Sequence, residues 1–337
     1  MMGLQIREII PHREIAVADL KGRVLAIDGN NMLYQFLTTI RQHDGSPLTD
    51  SKGAVTSHLV GLFSRTANFI NEGLKPIFVF DGRPPAIKQR EIERRKMAKK
   101  TATEKFEAAK DESDIEGMKR FAGRTAKLDS LMVDEAKLLV SALGCPVVQA
   151  PCEGEAQASF IAKKGDAYCV VSQDYDSLLY GTPYLVRNLS VSGRRKLPGK
   201  PVWHNVSTEI IDVKQSLREL GITDEQLKYL AVLIGTDYNP GGIKGIGPKK
   251  ALNLVKEYKS PEKIFGQVEW TFEHSWQEVI DTINQMPVEK DYSISWTSPN
   301  KDELIRLLCE NHDFSLERVE SGIAGLAKNQ KGLSEFF

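Results

Sequence analysis

Arg23-Val-Leu-Ala-Ile-Asp28 is a short β-branched and apolar run that ends on a carboxylate, and two runs of the same kind follow, Pro76-Ile-Phe-Val-Phe-Asp81 and Ala167-Tyr-Cys-Val-Val-Ser172. Short, nearly continuous apolar runs of this composition read as strands buried on both faces. Long helical patterns separate them. Residues 55–71 place Leu59, Leu62, Phe63, Ala67 and Ile70 at helical spacing, and residues 131–143 repeat the pattern with Leu131, Ala136, Leu138, Leu139 and Leu143. Plain core packing accounts for both. Strands alternating with helices predict an α/β fold with a largely parallel central sheet covered by helices.

The chain has 337 residues, enough for one large domain or two ordinary ones, with 41% hydrophobic and 27% charged residues. These proportions are those of a water-soluble globular protein. The 45 Lys and Arg residues balance the 45 Asp and Glu residues, so any nucleic-acid or membrane partner must be argued from local clustering. The first residues carry Arg7, Glu8, Arg13, Glu14 and Asp19 and read against a signal peptide. No apolar run approaches the roughly 18 residues of a membrane span. Cys145, Cys152, Cys169 and Cys309 form no CxxC pair and no regular framework. That usage predicts a reducing intracellular compartment, cytoplasm or nucleus.

Two stretches interrupt the strand and helix rhythm. From Arg83 to Lys105 there are nine basic residues against three acidic ones, a pronounced local excess in a neutral chain. Residues 106–126 are mixed and weakly apolar, with Gly117 and Gly123, and predict projecting helices with mobile joints. The second interruption is Asn239-Pro-Gly-Gly-Ile-Lys-Gly-Ile-Gly-Pro-Lys-Lys250, a glycine-rich turn between helical patterns.

The carboxylates stand at element ends. Asp28 and Asp81 close their strands, and Asp174 and Asp176 follow the third strand; in extended backbone these two would point to one side. Carboxyl ends of strands are where α/β sheets place ligands. Glu153 and Glu155, in Pro151-Cys-Glu-Gly-Glu155, can converge in a loop or first helical turn, and Asp237 is expected to end an apolar helix before the glycine turn. Taken singly, an Asp after a strand is an Asx turn and a Glu at a helix start is a capping or dipole partner. Four separate clusters together point to a metal site, because seven crowded carboxylates would repel one another unless cations neutralised them. All-oxygen ligands select hard ions such as Mg²⁺ or Mn²⁺, and a pair of such ions can hydrolyse a phosphodiester. No G-x-S-x-G, P-loop or H-E-x-x-H pattern is present to support a rival chemistry.

Lys88 and Arg95 are two helical turns apart and would share a face able to hold a phosphate, although Glu91 and Arg95 at i,i+4 equally describe a solvated helix. The charge excess favours the phosphate. Gly245-Ile-Gly-Pro-Lys-Lys250 offers backbone amides at Gly245 and Gly247 and cations at Lys249 and Lys250 beside a helix start, a grip for a duplex that does not read its sequence. Tyr34 could stack on a base, with a core role as the alternative.

These residues resemble the structure-specific 5' nucleases of the XPG family, and within them the flap endonucleases. The blocks Asp28-Gly-Asn-Asn31, Val79-Phe-Asp-Gly-Arg-Pro-Pro85, Ala150-Pro-Cys-Glu-Gly-Glu-Ala156, Ser172-Gln-Asp-Tyr-Asp-Ser177 and Leu233-Ile-Gly-Thr-Asp-Tyr-Asn239 occur in the family's order across nearly the whole chain. The resemblance implies a PIN-like fold in a single nuclease domain of residues 1–325. Within it, an N-terminal region would occupy about 1–100, a helical arch about 84–129 and an internal region about 130–260, including a helix-two-turn-helix at about 225–258. It implies that Asp28, Asp81, Glu153, Glu155, Asp174, Asp176 and Asp237 hold two Mg²⁺ ions, with Mn²⁺ as substitute. Lys88 and Arg95 would contact the scissile phosphate, Tyr34 would stack beside it, and the glycine turn would grip duplex DNA with help from K⁺. The expected activity is 5' flap cleavage with 5'-3' exonuclease activity on branched DNA, by a monomer without membrane attachment. A non-catalytic branched-DNA adaptor and a PIN-like ribonuclease are the alternatives; the complete carboxylate set disfavours the first, the basic arch and glycine turn the second.

Two features depart from the family pattern. The chain begins Met1-Met2-Gly3 where the family begins Met-Gly, and Asn239-Pro-Gly-Gly242 is longer than the usual turn by about one residue. The tail of residues 326–337 carries Gln330, Leu333, Phe336 and Phe337 in the spacing of a sliding-clamp (PCNA) binding box. It ends there without the basic extension of eukaryotic members, which predicts an archaeal-like protein.

Overall fold

A computed structural model describes residues 4–112, 114–191, 193–196 and 203–330. Met1-Met2-Gly3 and the tail residues Leu333, Phe336 and Phe337 lie outside the described residues.

In chain order the elements are β1 (Arg13–Ile15), β2 (Val24–Asp28), α1 (Gly29–Thr39), α2 (Ser57–Asn71), β3 (Lys75–Phe80), α3 (Gln89–Asp111), α4 (Ile115–Ala122), α5 (Ser130–Ala142), β4 (Val147–Gln149), α6 (Gly154–Lys164), β5 (Cys169–Val171) and β6 (Tyr184–Arg187). A hairpin of β7 (Gly193–Lys196) and β8 (Trp203–Val206) follows, then β9 (Thr208–Asp212), α7 (Val213–Leu220), α8 (Asp224–Ile234), α9 (Pro248–Tyr258), α10 (Pro261–Phe265), α11 (Trp276–Asn284), α12 (Lys301–Ile305) and α13 (Leu316–Gln330). One sheet runs in the order β1-β9-β6-β5-β2-β3-β4. Its β6-β5-β2-β3-β4 part is parallel, with β9 antiparallel to β6 and β1 antiparallel to β9. The largely parallel sheet expected from the three apolar runs is therefore present.

Alternation along the strands explains why the runs are apolar throughout. Ala26, Ile77, Val79, Val170 and Leu185 belong to a core shared with α6, α8 and α9, whereas Leu25, Ile27, Phe78, Phe80 and Val171 belong to a core shared with α1, α2 and α5. Successive side chains of a strand face opposite sides, so a sheet covered twice needs apolar residues at every position. The pairing register sets Asp28 level with Val79, which leaves Asp81 just past the end of β3. Both carboxylates emerge at the carboxyl ends of neighbouring parallel strands.

The segment after β3 differs from its expected form. α3 and α4 are stitched together by a small apolar cluster of Phe106, Ala109, Met118 and Ala122. Gly117 is no joint: it lies inside α4, where its amide donates to the capping Asp114 side chain. The C-terminal segment returns to the body through His312, whose Nδ1 lies 3.0 Å from Asp50 Oδ2 and whose Nε2 lies 3.0 Å from Glu135 Oε1. α13 runs through Gln330, so the first part of the expected flexible tail is helical. Among the described residues no helix is long and apolar enough to cross a membrane. All four cysteines are free.

α1, which leads from Asp28 and carries Tyr34, crosses α2 at Gly61, where an added Cβ would lie 2.3 Å from Phe36 Cγ and 2.7 Å from Ile40 Cδ1. Such separations are far inside contact distance, so the crossing requires glycine. Gly61→Ala should lower stability by about 1–3 kcal/mol, the usual cost of overpacking a filled core. Urea unfolding checks this, and an unchanged midpoint would mean that α1 can shift without loss.

Candidate metal centre and nucleic-acid interface

Each carboxylate is placed by its own element end. Asp28 is both the last residue of β2 and the N-cap of α1, its Oδ1 accepting the Asn31 amide at 2.9 Å. Asp81 leaves β3 and accepts the Gly154 amide at 2.7 Å, which ties it to the start of α6. A Cβ at position 154 would sit 2.8 Å from Asp81 Oδ1, so glycine is needed for that approach. Glu153 is the residue before α6 and Glu155 lies in its first turn, so the pair converges as the loop reading of Pro151-Cys-Glu-Gly-Glu155 expects.

Three expectations of local geometry are corrected. Asp174 and Asp176 do not share an extended backbone, because β5 ends at Val171 and the chain folds into a 3-10 turn over Asp176–Tyr180. Lys88 is not inside the α-helix that carries Arg95, since it ends a 3-10 turn over Ala86–Lys88 and precedes the first residue of α3, yet both side chains reach Asp237. Asp237 stands three residues beyond the end of α8 at Ile234, in the following turn. Tertiary contacts nonetheless bring all of these groups together.

The seven carboxylates, Lys88, Arg95 and Tyr34 line one cleft of about 400 Å³. A polar scaffold missed in the sequence holds them there. Ser172 Oγ lies 3.1 Å from Asp28 Oδ2 and 3.3 Å from Glu155 Oε1, and it accepts the Asp174 amide at 3.2 Å. Asn31 donates its side-chain amide to Asp174 Oδ2 at 2.8 Å and accepts the Gln173 amide at 3.1 Å. Asn30 accepts the Asp81 amide at 3.2 Å, and the Leu4 amide donates to Asp176 Oδ1 at 2.9 Å. Asn30, Asn31 and Ser172 sit inside motifs already singled out for their acids; their polarity at strand ends was the available clue.

Burial sets the electrostatics. Asp81 is pushed up to about 6, first by desolvation and then by Glu153, and Asp174 to about 6 by desolvation and Asp237. Asp176 rises to about 8 from desolvation with Asp237 and Asp174 adding repulsion. Desolvation likewise raises Asp28 and Glu155 well above the carboxylate range. The Lys88 ammonium lies 2.8 Å from Glu153 Oε2 and 3.0 Å from Asp237 Oδ2, and Arg95 Nη2 pairs with Asp237 Oδ1. Burial alone would lower the lysine, but Glu153 and Asp237 outweigh it and hold the ammonium above its ordinary range.

Two cations against seven carboxylates leave an anionic cleft, and Glu153 Oε1 is buried without a hydrogen-bond partner. Among the described residues no three acidic, imidazole or thiol side chains close into a metal cage. An all-oxygen set spread around an open cleft fits hard divalent ions that retain water as part of their coordination.

The remaining candidates are more dispersed. Tyr34 donates its hydroxyl to the Ala126 carbonyl at 3.0 Å, and Lys99 of α3 lies 4.6 Å from its ring centroid. Gly247 precedes α9 and Pro248 is its first residue, so the glycine turn delivers a helix start, as expected. The turn is braced by the buried Asn239, whose side chain accepts from Thr236 N and Oγ1 at 3.1 and 2.8 Å and donates to Val232 O at 2.7 Å. Exposed Lys249 pairs with Glu8 at 2.6 Å, and exposed Lys250 donates to Gly245 O at 3.0 Å. None of these turn residues lines the carboxylate cleft.

Residues 3–102 match the XPG N-terminal domain model and residues 144–237 the XPG I-region model. The chain is 50% identical over 327 residues to flap endonuclease 1 of Pyrococcus abyssi, a match covering 97% of this chain and 94% of that one. It is 49% identical over 332 residues to flap endonuclease 1 of Staphylothermus marinus, covering 97% and 95%. Among solved structures, flap endonuclease-1 of Methanococcus jannaschii superposes with a TM-score of 0.77 at 39% identity, covering 97% of this chain and 98% of that one.

The raised carboxylates make a testable linkage. Unfolded Asp and Glu titrate at about 4, whereas Asp81 and Asp174 titrate at about 6 and Asp176 at about 8 in the fold. The folded state therefore binds these protons more tightly. Their stabilising contribution is full below the unfolded value and is lost as pH rises through about 6 to 8. Divalent ions need the deprotonated ligands, so Mg²⁺ should raise the melting temperature more at about pH 8 than at about pH 5.5. Thermal unfolding in chelator and in Mg²⁺ at both values decides it; an equal gain at both would reject the linkage.

Proposed function

As a member of the flap endonuclease family, this chain is a metal-dependent, structure-specific nuclease with a PIN-like fold, and we propose that it cleaves 5' flaps in branched DNA during replication and repair, with accompanying 5'-3' exonuclease activity. The observation that carries this reading is the single cleft in which all seven carboxylates meet Lys88 and Arg95.

Asp28, Asp81, Glu153, Glu155, Asp174, Asp176 and Asp237 would hold two Mg²⁺ ions, some through water. When bound, such ions supply activated water and neutralise charge on the leaving oxygen. The protein's own part is positional. Ser172, Asn30 and Asn31 keep the acids in place against their mutual repulsion. Lys88 and Arg95 stand where a phosphodiester could replace their contacts to Glu153 and Asp237, and donors already aimed at that point stabilise charge as it develops.

The basic projection of α3 and α4 serves as the arch over the single-stranded flap, with Tyr34 stacking on a base beside the scissile phosphate. The turn from α8 to α9 grips the duplex through the amides at Gly245 and Gly247, through Lys249 and Lys250, and through K⁺ on backbone carbonyls. Gln330, Leu333, Phe336 and Phe337 would anchor a sliding clamp. A non-catalytic adaptor would not need a complete set of acids, and a ribonuclease would not need the basic arch.

Asp81→Ala or Asp174→Ala should slow single-turnover cleavage of a 5' flap by about 100-fold or more, on the scale of losing a group that organises charge at the reacting centre. Affinity measured in Ca²⁺ should fall much less, because the duplex is held elsewhere. Near-normal cleavage by Asp174→Ala would reject the metal assignment.

Deleting residues 330–337 should leave cleavage without clamp intact while abolishing clamp binding in titration calorimetry and clamp stimulation of cleavage. Short apolar anchors that order on binding give moderate affinity concentrated in the aromatic pair. Persistent stimulation after deletion would place the principal clamp contact elsewhere.

A further inference from the structure

Glu91 is out of keeping with its helix. α3 is long and strongly polar, yet Glu91 is 3% exposed and is buried in that helix along with only Ala102, Phe106 and Ala109 among its described residues. A solvated helix pair at i,i+4 is worth only about 0.3–0.5 kcal/mol and leaves its carboxylate in water. A buried carboxylate must instead have its lone pairs filled by charged donors. Glu91 meets that requirement entirely within the next turn of the helix. Its Oε2 accepts from Arg94 Nε at 2.6 Å, and its Oε1 accepts from Arg94 Nη2 at 2.7 Å and from Arg95 Nε at 2.6 Å.

The geometry at Arg95 gives this contact its consequence. A guanidinium is a rigid planar fork, so fixing Nε determines where the adjoining Nη2 points. With Nε on Glu91, Arg95 presents Nη2 to Asp237, one of the acids of the cleft. Arg94 shares the bidentate grip but is 64% exposed, against 24% for Arg95, and it does not line the cleft. The Glu91 side chain does not line that cleft either; it lines a neighbouring hollow of about 380 Å³ between the base of α3 and the turn at Gly235–Gly241. Its hydrogen-bonded link to the cleft acids runs through Arg95.

We propose that Glu91 is a positioning residue for phosphodiester cleavage: its buried carboxylate holds Arg95 by Nε and aims Nη2 of the guanidinium at the scissile phosphate when that phosphate displaces Asp237. This rests on the assignment of Arg95 to the reacting phosphate made above. The same contact restricts the long arginine side chain before substrate arrives, so less rotamer freedom is lost as the complex forms. The i,i+4 spacing that the sequence offers as a plain helix pair is, in the fold, the hinge on which a reacting cation is oriented.

Single-turnover cleavage of a 5' flap by wild type, Glu91→Ala, Glu91→Gln, Arg95→Ala and the double variant Glu91→Ala/Arg95→Ala tests this, with affinity in Ca²⁺ and melting temperature measured on each. Misaiming a reacting group by about an ångström can cost up to about 100-fold, so Glu91→Ala should be about 10- to 100-fold slower with nearly unchanged affinity. Glu91→Gln, which keeps an acceptor of the same shape, should lie between it and wild type. The double variant should be no slower than Arg95→Ala, because a residue acting through another has no effect once that other is gone. If Glu91→Ala is too unstable to assay, Glu91→Gln and Glu91→Gln/Arg95→Ala give the same cycle. A slow Arg95→Ala beside a Glu91 variant of wild-type rate would overturn the positioning role and leave the Arg95 assignment standing, as would fully multiplicative losses in the double variant. A wild-type rate for Arg95→Ala would overturn the Arg95 assignment, and this inference with it.

Discussion

The mutual repulsion of seven carboxylates in one cleft is the constraint on which the rest of the site depends. Desolvation raises the cost of each charge, and neighbouring acids raise it further, as the upward displacement of Asp28, Asp81, Glu155, Asp174 and Asp176 records. Left to themselves these side chains would turn toward solvent. They stay because backbone amides at Asn31, Gly154 and Leu4, and side chains of Ser172 and Asn31, accept the burden of fixing them. Lys88 and Arg95 neutralise the edge formed by Glu153 and Asp237. The resulting cleft is poised for cations by construction, which is the electrostatic meaning of a family-wide dependence on metal.

Structural and chemical roles coincide in several of these residues. Asp28 caps α1 and lines the cleft with the same carboxylate. Asp81 accepts the first amide of α6 and stands among the acids. An Asx turn or a helix-start partner would be a sufficient account of either residue alone. The parallel sheet makes the two roles compatible, because the ends of its strands are also the starts of the helices that cover it, and unpaired amides at those starts hold carboxylates in place.

The surfaces proposed to meet nucleic acid are built differently from the centre. Their cations are already engaged: Lys249 with Glu8, Lys250 with a carbonyl of its own turn, Lys99 over the Tyr34 ring. The exposed contacts of Lys249 and Lys250 are weak and hold those side chains loosely. The contrast with the doubly held Lys88 and Arg95 separates the groups proposed to grip a duplex from those proposed to meet the reacting atoms.

By itself the sequence determined the parallel sheet, its two covering layers, the identity of the acids and their positions at element ends. Strand periodicity and apolar runs are local consequences of burial on both faces, so Arg23–Asp28 and Pro76–Asp81 could be read without any partner in view. It did not determine the geometry of Asp174, Asp176, Lys88 or Asp237, each of which sits in a turn whose path is set by what it packs against. Nor did it reveal Ser172, Asn30, Asn31 and Asn239, since a polar residue beside a strand or in a turn has many local uses. Only the tertiary structure decided that Ser172 joins acids distant in sequence, and that the Glu91–Arg95 helix pair buries its carboxylate beside the cleft that Arg95 lines. The reason is physical: hydrogen bonds and desolvation depend on which segments converge in space, and convergence belongs to the whole sheet and its covering helices, not to any window of the chain.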